Sequence, residues 1–441
     1  MKIVSFSFVL LSLGWSCYGQ LPDPSIQDME TDEPTIRTPG TVGMGGMTGD
    51  PRDFVNLYAF ANAVYDSNIS YVTQSSRGGD VTTFGGEGGQ VGGGVSLHHM
   101  IKHGAITLSY NGSFTKYSRS QLTNGTNQFL LASFSKMLTR RWIMNITENL
   151  SFISNGSQAF IDVPANGSIP PVQPFGQKIF YDTTALYLSY QQTHRLNYFF
   201  GGTLFTSRYR PTNLSGYGGV TGSAGVGYRF TQRTRLDGTY SYSRFSYTTG
   251  DASSILNSMT AALMHEVGQH WRLGATVGIS HVQSSGEASF LLPGTTGLVL
   301  VSGKYKTSTF TPVYTGSATR LFRTGSFTVT GGENVSGGNG VYLTSRNLFI
   351  NSSGTKQIAK KLTVTGAFGY SRLSSLANAA GTFGAANYGA NAGYELTPHI
   401  YLTANYTGWH YPKLSGVQRQ FATQATAGIT FASHNYPIGM F

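Results

Sequence analysis

Apolar and polar residues alternate with a period of two along most of this chain. Ala224, Val226, Tyr228 and Phe230 alternate with Ser223, Gly225, Gly227 and Arg229, and after the polar connection Thr231-Gln232-Arg233-Thr234 the alternation resumes with Tyr240 and Tyr242 against Thr239, Ser241 and Ser243. Successive side chains of an extended strand point to opposite faces, so each half presents one apolar and one small or polar face. The stretch is predicted to be a β-hairpin.

The same pattern returns along the chain. Ile106, Leu108, Tyr110 and Phe114 alternate with Thr107, Ser109, Asn111 and Ser113, and Leu362, Val364, Phe368 and Tyr370 with Thr363, Thr365, Ala367 and Ser371. Leu273, Ala275, Val277 and Ile279 oppose Arg272, Gly274, Thr276, Gly278 and Ser280, while Ala425, Ala427, Ile429 and Phe431 oppose Gln424, Thr426, Gly428 and Thr430. Short basic turns separate such segments at Lys102-His103-Gly104, Thr139-Arg140-Arg141, Thr193-His194-Arg195, Gln232-Arg233, Gln269-His270, Leu321-Phe322-Arg323, Lys360-Lys361 and Thr397-Pro398-His399. Between the pairs lie longer connections rich in Gly, Pro, Asn and Ser, among them 155–177 and 286–303. Eight short turns join sixteen strands; an opening strand near Phe54 to Ser67 and a closing one near Arg419 to Ser433 raise the count to about eighteen, with sixteen as the other count.

Strands of about 12 to 15 residues exceed the globular norm of about 5 or 6 and suit a tilted crossing of a hydrocarbon layer, where no backbone group is left unpaired and the sheet must close. Aromatics cluster at strand ends. Trp142 and Trp271 follow short turns, and Tyr247 and Trp409 lie at far ends, so all four are expected at the two membrane interfaces. Glu148 shares a face with Met144, Ile146, Leu150 and Phe152, which predicts a bulge or reversed facing there.

The alternation, the turn style of Leu396-Thr397-Pro398-His399-Ile400 and the terminal Phe441 together resemble outer-membrane β-barrel proteins of Gram-negative bacteria in the porin-sized class. The resemblance covers about residues 54 to 433. It implies an all-β, transmembrane, antiparallel up-and-down barrel, inserted by barrel-assembly machinery among outer-membrane lipids, with short turns and both termini on the periplasmic side.

Composition narrows the rest. The chain has 441 residues, only 11% charged, with 57 glycines and a net charge of +11. Residues 1–19 have the positive, apolar and small-residue regions of a signal peptide; 20–53 is expected to be a periplasmic segment, and 434–441 a tail. Cys17 is the single cysteine, which leaves the mature chain without thiol chemistry. His265 and His270 are five apart on a strand, the wrong spacing for a zinc-protease helix, and His98, His99 and His103 have no better geometry. No metal, cofactor, catalytic triad or nucleic-acid partner is expected.

The segment through Asp53 holds seven of the nineteen acids, so the barrel is more basic than the whole chain. Arg229, Arg272 and Lys361 fall on the polar side of their strands near the short turns and are the candidate pore-lining residues. A passive channel for small hydrophilic solutes with mild anion preference is the leading reading. An export barrel for acidic exopolysaccharide, or a structural or adhesive barrel with a plugged lumen, are the alternatives, and homo-oligomerisation is left open.

Overall fold

The computed structural model describes residues 54–70, 83–118, 124–154, 178–210, 216–248, 252–294, 297–336, 344–376, 382–411, 420–433 and 436–437. The expected signal peptide, the 20–53 segment, Phe441 and most of the long connections lie outside these residues. Eighteen long strands run in chain order: β1 (Phe54–Ser70), β2 (Thr83–Ile101), β3 (Gly104–Tyr117), β4 (Gly125–Met137), β5 (Trp142–Ile153), β6 (Lys178–Gln191), β7 (Leu196–Arg210), β8 (Tyr217–Thr231) and β9 (Thr234–Tyr247) form the first half. The second half is β10 (Ser253–Val267), β11 (Trp271–Gly294), β12 (Gly297–Phe322), β13 (Gly325–Ser336), β14 (Ser345–Ala359), β15 (Leu362–Ser375), β16 (Thr382–Thr397), β17 (Ile400–Tyr411) and β18 (Gln420–Ala432). Each pairs antiparallel with its chain neighbours, and β1 pairs with β18 from Tyr58↔Ala432 to Asp66↔Gln424, so the sheet closes on itself. A two-residue strand in the tail, β19 (Tyr436–Pro437), continues that seam against Phe54 and Val55.

The faces follow the alternation. Leu263, Leu273, Val277 and Ile279 are 41–62% exposed on the outside, whereas Ala262, Thr276 and Ser280 are 1–4% exposed on the inside. An ordinary globule hides its apolar residues and exposes its polar ones. Here the order is inverted, which is stable only where the surrounding solvent is itself apolar, and closure leaves no unpaired edge for such a solvent to meet.

All eight short turns sit at one end of the barrel, together with the start of β1 and the end of β18. Three of them share one local chemistry. Thr139 Oγ1 accepts from the amides of Arg141 and Trp142 at 3.2 and 3.1 Å, and Thr193 and Thr397 do the same two and three residues on. Each hydroxyl satisfies amides that the reversing chain takes out of the ladder.

Two expectations are corrected. Residues 286–303 are largely strand rather than loop: β11 and β12 stay paired to Gly294↔Gly297, beyond the last β10 partner at Ser285 and the last β13 partner at Tyr314. With about 3.3 Å per residue, this ribbon projects roughly 30 Å past the ends of its neighbours on the β10 side. There is no bulge at Glu148 either, since its register with Ala132 and Thr184 is regular. Glu148 stays outward, where Thr184 Oγ1 donates to its Oε2 at 2.7 Å. The hydrogen bond offsets part of the cost of a carboxyl on that face, so a bulge is not required.

Candidate functional site: the lumen and its two mouths

The inward face is a lattice of small hydroxyls and amides. Ser254–Ser284 at 2.8 Å, Ser258–Ser280 at 2.6 Å, Thr221–Ser243 at 2.9 Å and Thr355–Thr365 at 3.0 Å are cross-strand pairs, and Asn62 Nδ2 donates to Gln90 Oε1 at 3.2 Å. Such pairs tie neighbouring strands and leave the wall wettable. Glycines make room for rings that lie flat against it. A Cβ on Gly225 would fall 2.2 Å from the Phe199 ring, and one on Gly92 would fall 2.5 Å from Phe60.

At the short-turn end the lumen carries charge. Arg229 on β8 and Arg235 on β9 are direct register partners, and the Arg235 Nε–Asp237 Oδ1 pair measures 2.7 Å. Asn197, in the amide orientation that satisfies its neighbours, accepts from Arg235 and donates to the Gly227 carbonyl. The Arg235 guanidinium therefore lies over the bare Cα of Gly227, space that any side chain there would take. One strand on, Arg272 meets Glu266 at 3.4 Å. This sector holds three arginines against two carboxylates. Around it the turns expose Lys102, Arg140, Arg141, Arg195, Arg233, Arg323, Lys360 and Lys361, and none of the eight turns contains an acid.

Of the sequence-derived candidates, Arg229 and Arg272 face inward, and β8–β11 place them in one sector with Arg235. Lys361 is separate: it is exposed in the two-residue turn between β14 and β15, and its carbonyl accepts from the Glu395 amide at 2.8 Å. Trp142 and Trp271 lie on the outward face at the short-turn end, Trp142 against Tyr190 with ring centroids 5.0 Å apart and Trp271 beneath the Arg320 guanidinium. Tyr247 and Trp409 do not meet lipid. They are 8% and 2% exposed on the inward faces of β9 and β17, in parity with Ser243 and Thr407.

Tyr247 belongs to a cluster that sequence reasoning missed. At the long-connection end the inward face changes from hydroxyls to rings and aliphatics: Ile153, Ile179, Phe205, Tyr209, Tyr217, Phe245, Tyr247 and Leu256 pack together, with Phe129, Val335 and Leu376 against them. Phe205 lies 5.4 Å from Phe245, and Tyr217 lies 6.2 Å from Tyr247, centroid to centroid. The Tyr247 and Thr344 hydroxyls are 2.7 Å apart, although one ends β9 and the other precedes β14. Eighteen strands about 4.8 Å apart and tilted about 40° enclose a ring roughly 35 Å across, which would hold walls five strands apart at roughly 25 Å. A tyrosine and a threonine together span about half that gap. The walls therefore lean together at this mouth, and the cluster fills the space between them.

No protein-family model matches this chain, and no curated protein does. Solved structures do resemble it. The chain is similar to OpdK of Pseudomonas aeruginosa in complex with vanillate, at 11% identity and a TM-score of 0.42, over 86% of this chain and 98% of that one. It is similar to OccK9 of the same organism, at 10% identity and 0.41 over 86% and 98%, and to the Escherichia coli ferric-catecholate import receptor Fiu in its open form, at 8% and 0.42 over 85% and 81%.

Among the described residues no group of three or more His, Cys, Asp or Glu side chains is placed to hold a metal ion. His265 and His270 do not converge. His265 Nδ1 lies 2.9 Å from the Thr234 hydroxyl on the outward face, and His270 is exposed in the following turn.

Proposed function

We propose that this chain is a channel of the bacterial outer membrane, passive and selective for small hydrophilic solutes, with short turns and both chain ends on the periplasmic side. The observation that carries the reading is the pairing of an apolar outer face with a hydroxyl- and amide-lined inner one on a closed sheet. A bilayer requires the first, and a water-filled path requires the second. Short turns at one end and long connections at the other support the orientation.

A mild anion preference is supported by the acid-free ring of turns and by the single excess positive charge of the Arg229, Arg235, Asp237, Glu266 and Arg272 sector. A charge at a narrow, low-dielectric mouth acts on every ion that passes it. Asp66 and Glu395 face inward elsewhere in the wall, which keeps the preference local and weak.

The aromatic cluster favours a second reading, a surface barrel whose lumen is shut at the outer mouth. Purified protein in planar bilayers separates the two. Steady conductance with a reversal potential displaced toward the anion supports the channel. Absence of current from protein shown to be inserted supports the shut barrel.

A further inference from the structure

We propose that Lys178, Arg208 and Arg210 form a binding site on the outer wall for the phosphate groups of an anionic lipid. The inference rests on the outward face meeting lipid, but not on the lumen conducting. Lys178 begins β6 and Arg210 ends β7, and the two are register partners; the next outward pair is Phe180 with Arg208. Neighbouring strands lie about 4.8 Å apart, and two residues along a strand cover about 7 Å, so three long cationic side chains start within reach of one phosphate. All three are exposed, and none is ion-paired with an acid among the described residues. β8 begins opposite Ser207, so among the described residues no strand covers Arg208 and Arg210 on that side.

Three like charges in this space repel, and each sits where a hydrocarbon boundary penalises it, unless an anion is present. Phosphate is the anion that matches. A guanidinium presents parallel N–H donors to two of its oxygens, and the lysine supplies a point charge beside them. The surroundings indicate that the phosphate arrives on a lipid. Level with Arg208 the outward face carries Phe180 beside Phe152, and two outward pairs further down Leu204 at 60% exposure, apolar surface against which acyl chains can lie. Asp182 faces outward one pair below Arg208, above Leu204, and Glu148 faces outward at the level of Leu204. Their carboxyl groups oppose any deeper placement of a phosphate and confine it to the rim. Three basic residues near an anionic lipid surface together amount to roughly a hundredfold in affinity.

The test uses the full-length mature protein in mild detergent, incubated with a bisphosphorylated glycolipid, with its enzymatically dephosphorylated form, or with inorganic phosphate alone, and read by native mass spectrometry. We expect wild type to hold the phosphorylated glycolipid at least about tenfold more than the dephosphorylated form. The triple variant K178Q/R208Q/R210Q should lose that preference, and the charge-keeping K178R/R208K/R210K should retain most of it. Equal retention by wild type and the glutamine variant overturns the proposal. So does equal binding of the dephosphorylated lipid, or saturation by inorganic phosphate at the same concentration, which would make the site one for free phosphate. Slower migration of every variant after boiling in a denaturing gel shows that the barrel has folded; if wild type itself fails this check, the barrel reading fails, not the lipid site alone.

Discussion

Removing the phenolic oxygen of Tyr247 isolates a hydrogen bond that joins the two walls at the long-connection mouth. In Tyr247→Phe the ring contact with Tyr217 lies within one wall and survives, whether the mouth is shut or open. What disappears is the 2.7 Å contact with Thr344, a residue with no exposed surface. A hydrogen bond of this kind is worth about 1 kcal/mol net, and leaving the buried Thr344 hydroxyl without its partner adds up to a similar amount. A loss of about 1 to 2 kcal/mol changes a two-state ratio by about five- to thirtyfold. Tyr247→Phe should therefore raise the open-to-closed ratio of single channels in planar bilayers by that factor, with unit conductance unchanged. Tyr247→Ala removes the ring as well, at a cost of about 3 to 5 kcal/mol, and should leave the mouth open and the unit conductance larger. If both variants fold and both keep the wild-type open fraction, the contact does not hold the mouth, and the walls lean together for another reason.

Three further outcomes follow from the geometry. Arg229→Glu turns the lumen sector from one excess positive charge to one excess negative, so the reversal potential in a salt gradient should shift toward the cation; Arg272→Glu, whose partner Glu266 would then be left against it, should shift selectivity the same way and also lower stability. Gly225→Ala drives a methyl group into the Phe199 ring and should cost about 1 to 3 kcal/mol, read as a lower urea midpoint for unfolding from lipid vesicles. Thr397→Val removes the acceptor of two turn amides and should cost about 1 kcal/mol in the same assay, while Thr397→Ser should restore it.

The barrel was legible because a period of two is a strong signal when it repeats across eighteen strands, and because every short turn ends in the same basic style. The turn threonines were visible too, but only the structure explains them as acceptors for the reversing amides. Tyr247 and Trp409 were misassigned although the information was present. Tyr247 lies an even number of residues from Ser241 and Ser243, and Trp409 from Thr407, so parity alone places both rings inside. Residue type was allowed to override position, since rings at strand ends are usual at membrane interfaces. The aromatic cluster itself could not be read from the chain, because its members come from many strands and only closure of the sheet brings them together. The β11–β12 ribbon was hidden by Gly286, Gly294 and Gly297, which in a single sequence mark a loop as well as they mark a long hairpin. Glu148 shows the opposite failure: its parity was right, and the expected bulge was an unnecessary rescue once Thr184 lay beside it.

The inward and outward faces of the wall decide everything said about transport. Since Cys17 is the only natural cysteine and falls in the expected signal peptide, single cysteines can be placed one at a time from Leu273 to Ser280 on β11 of the mature chain, the protein reconstituted in lipid vesicles, and each position tested with a membrane-impermeant thiol reagent and with a lipid-resident quencher of an attached fluorophore. Positions 274 and 278 should react with the aqueous reagent, and all four even positions from 274 to 280 should escape quenching, while 273, 275, 277 and 279 should be quenched and stay unlabelled. Uniform labelling along the strand, or the opposite alternation, would contradict a wet interior enclosed by a lipid-facing wall.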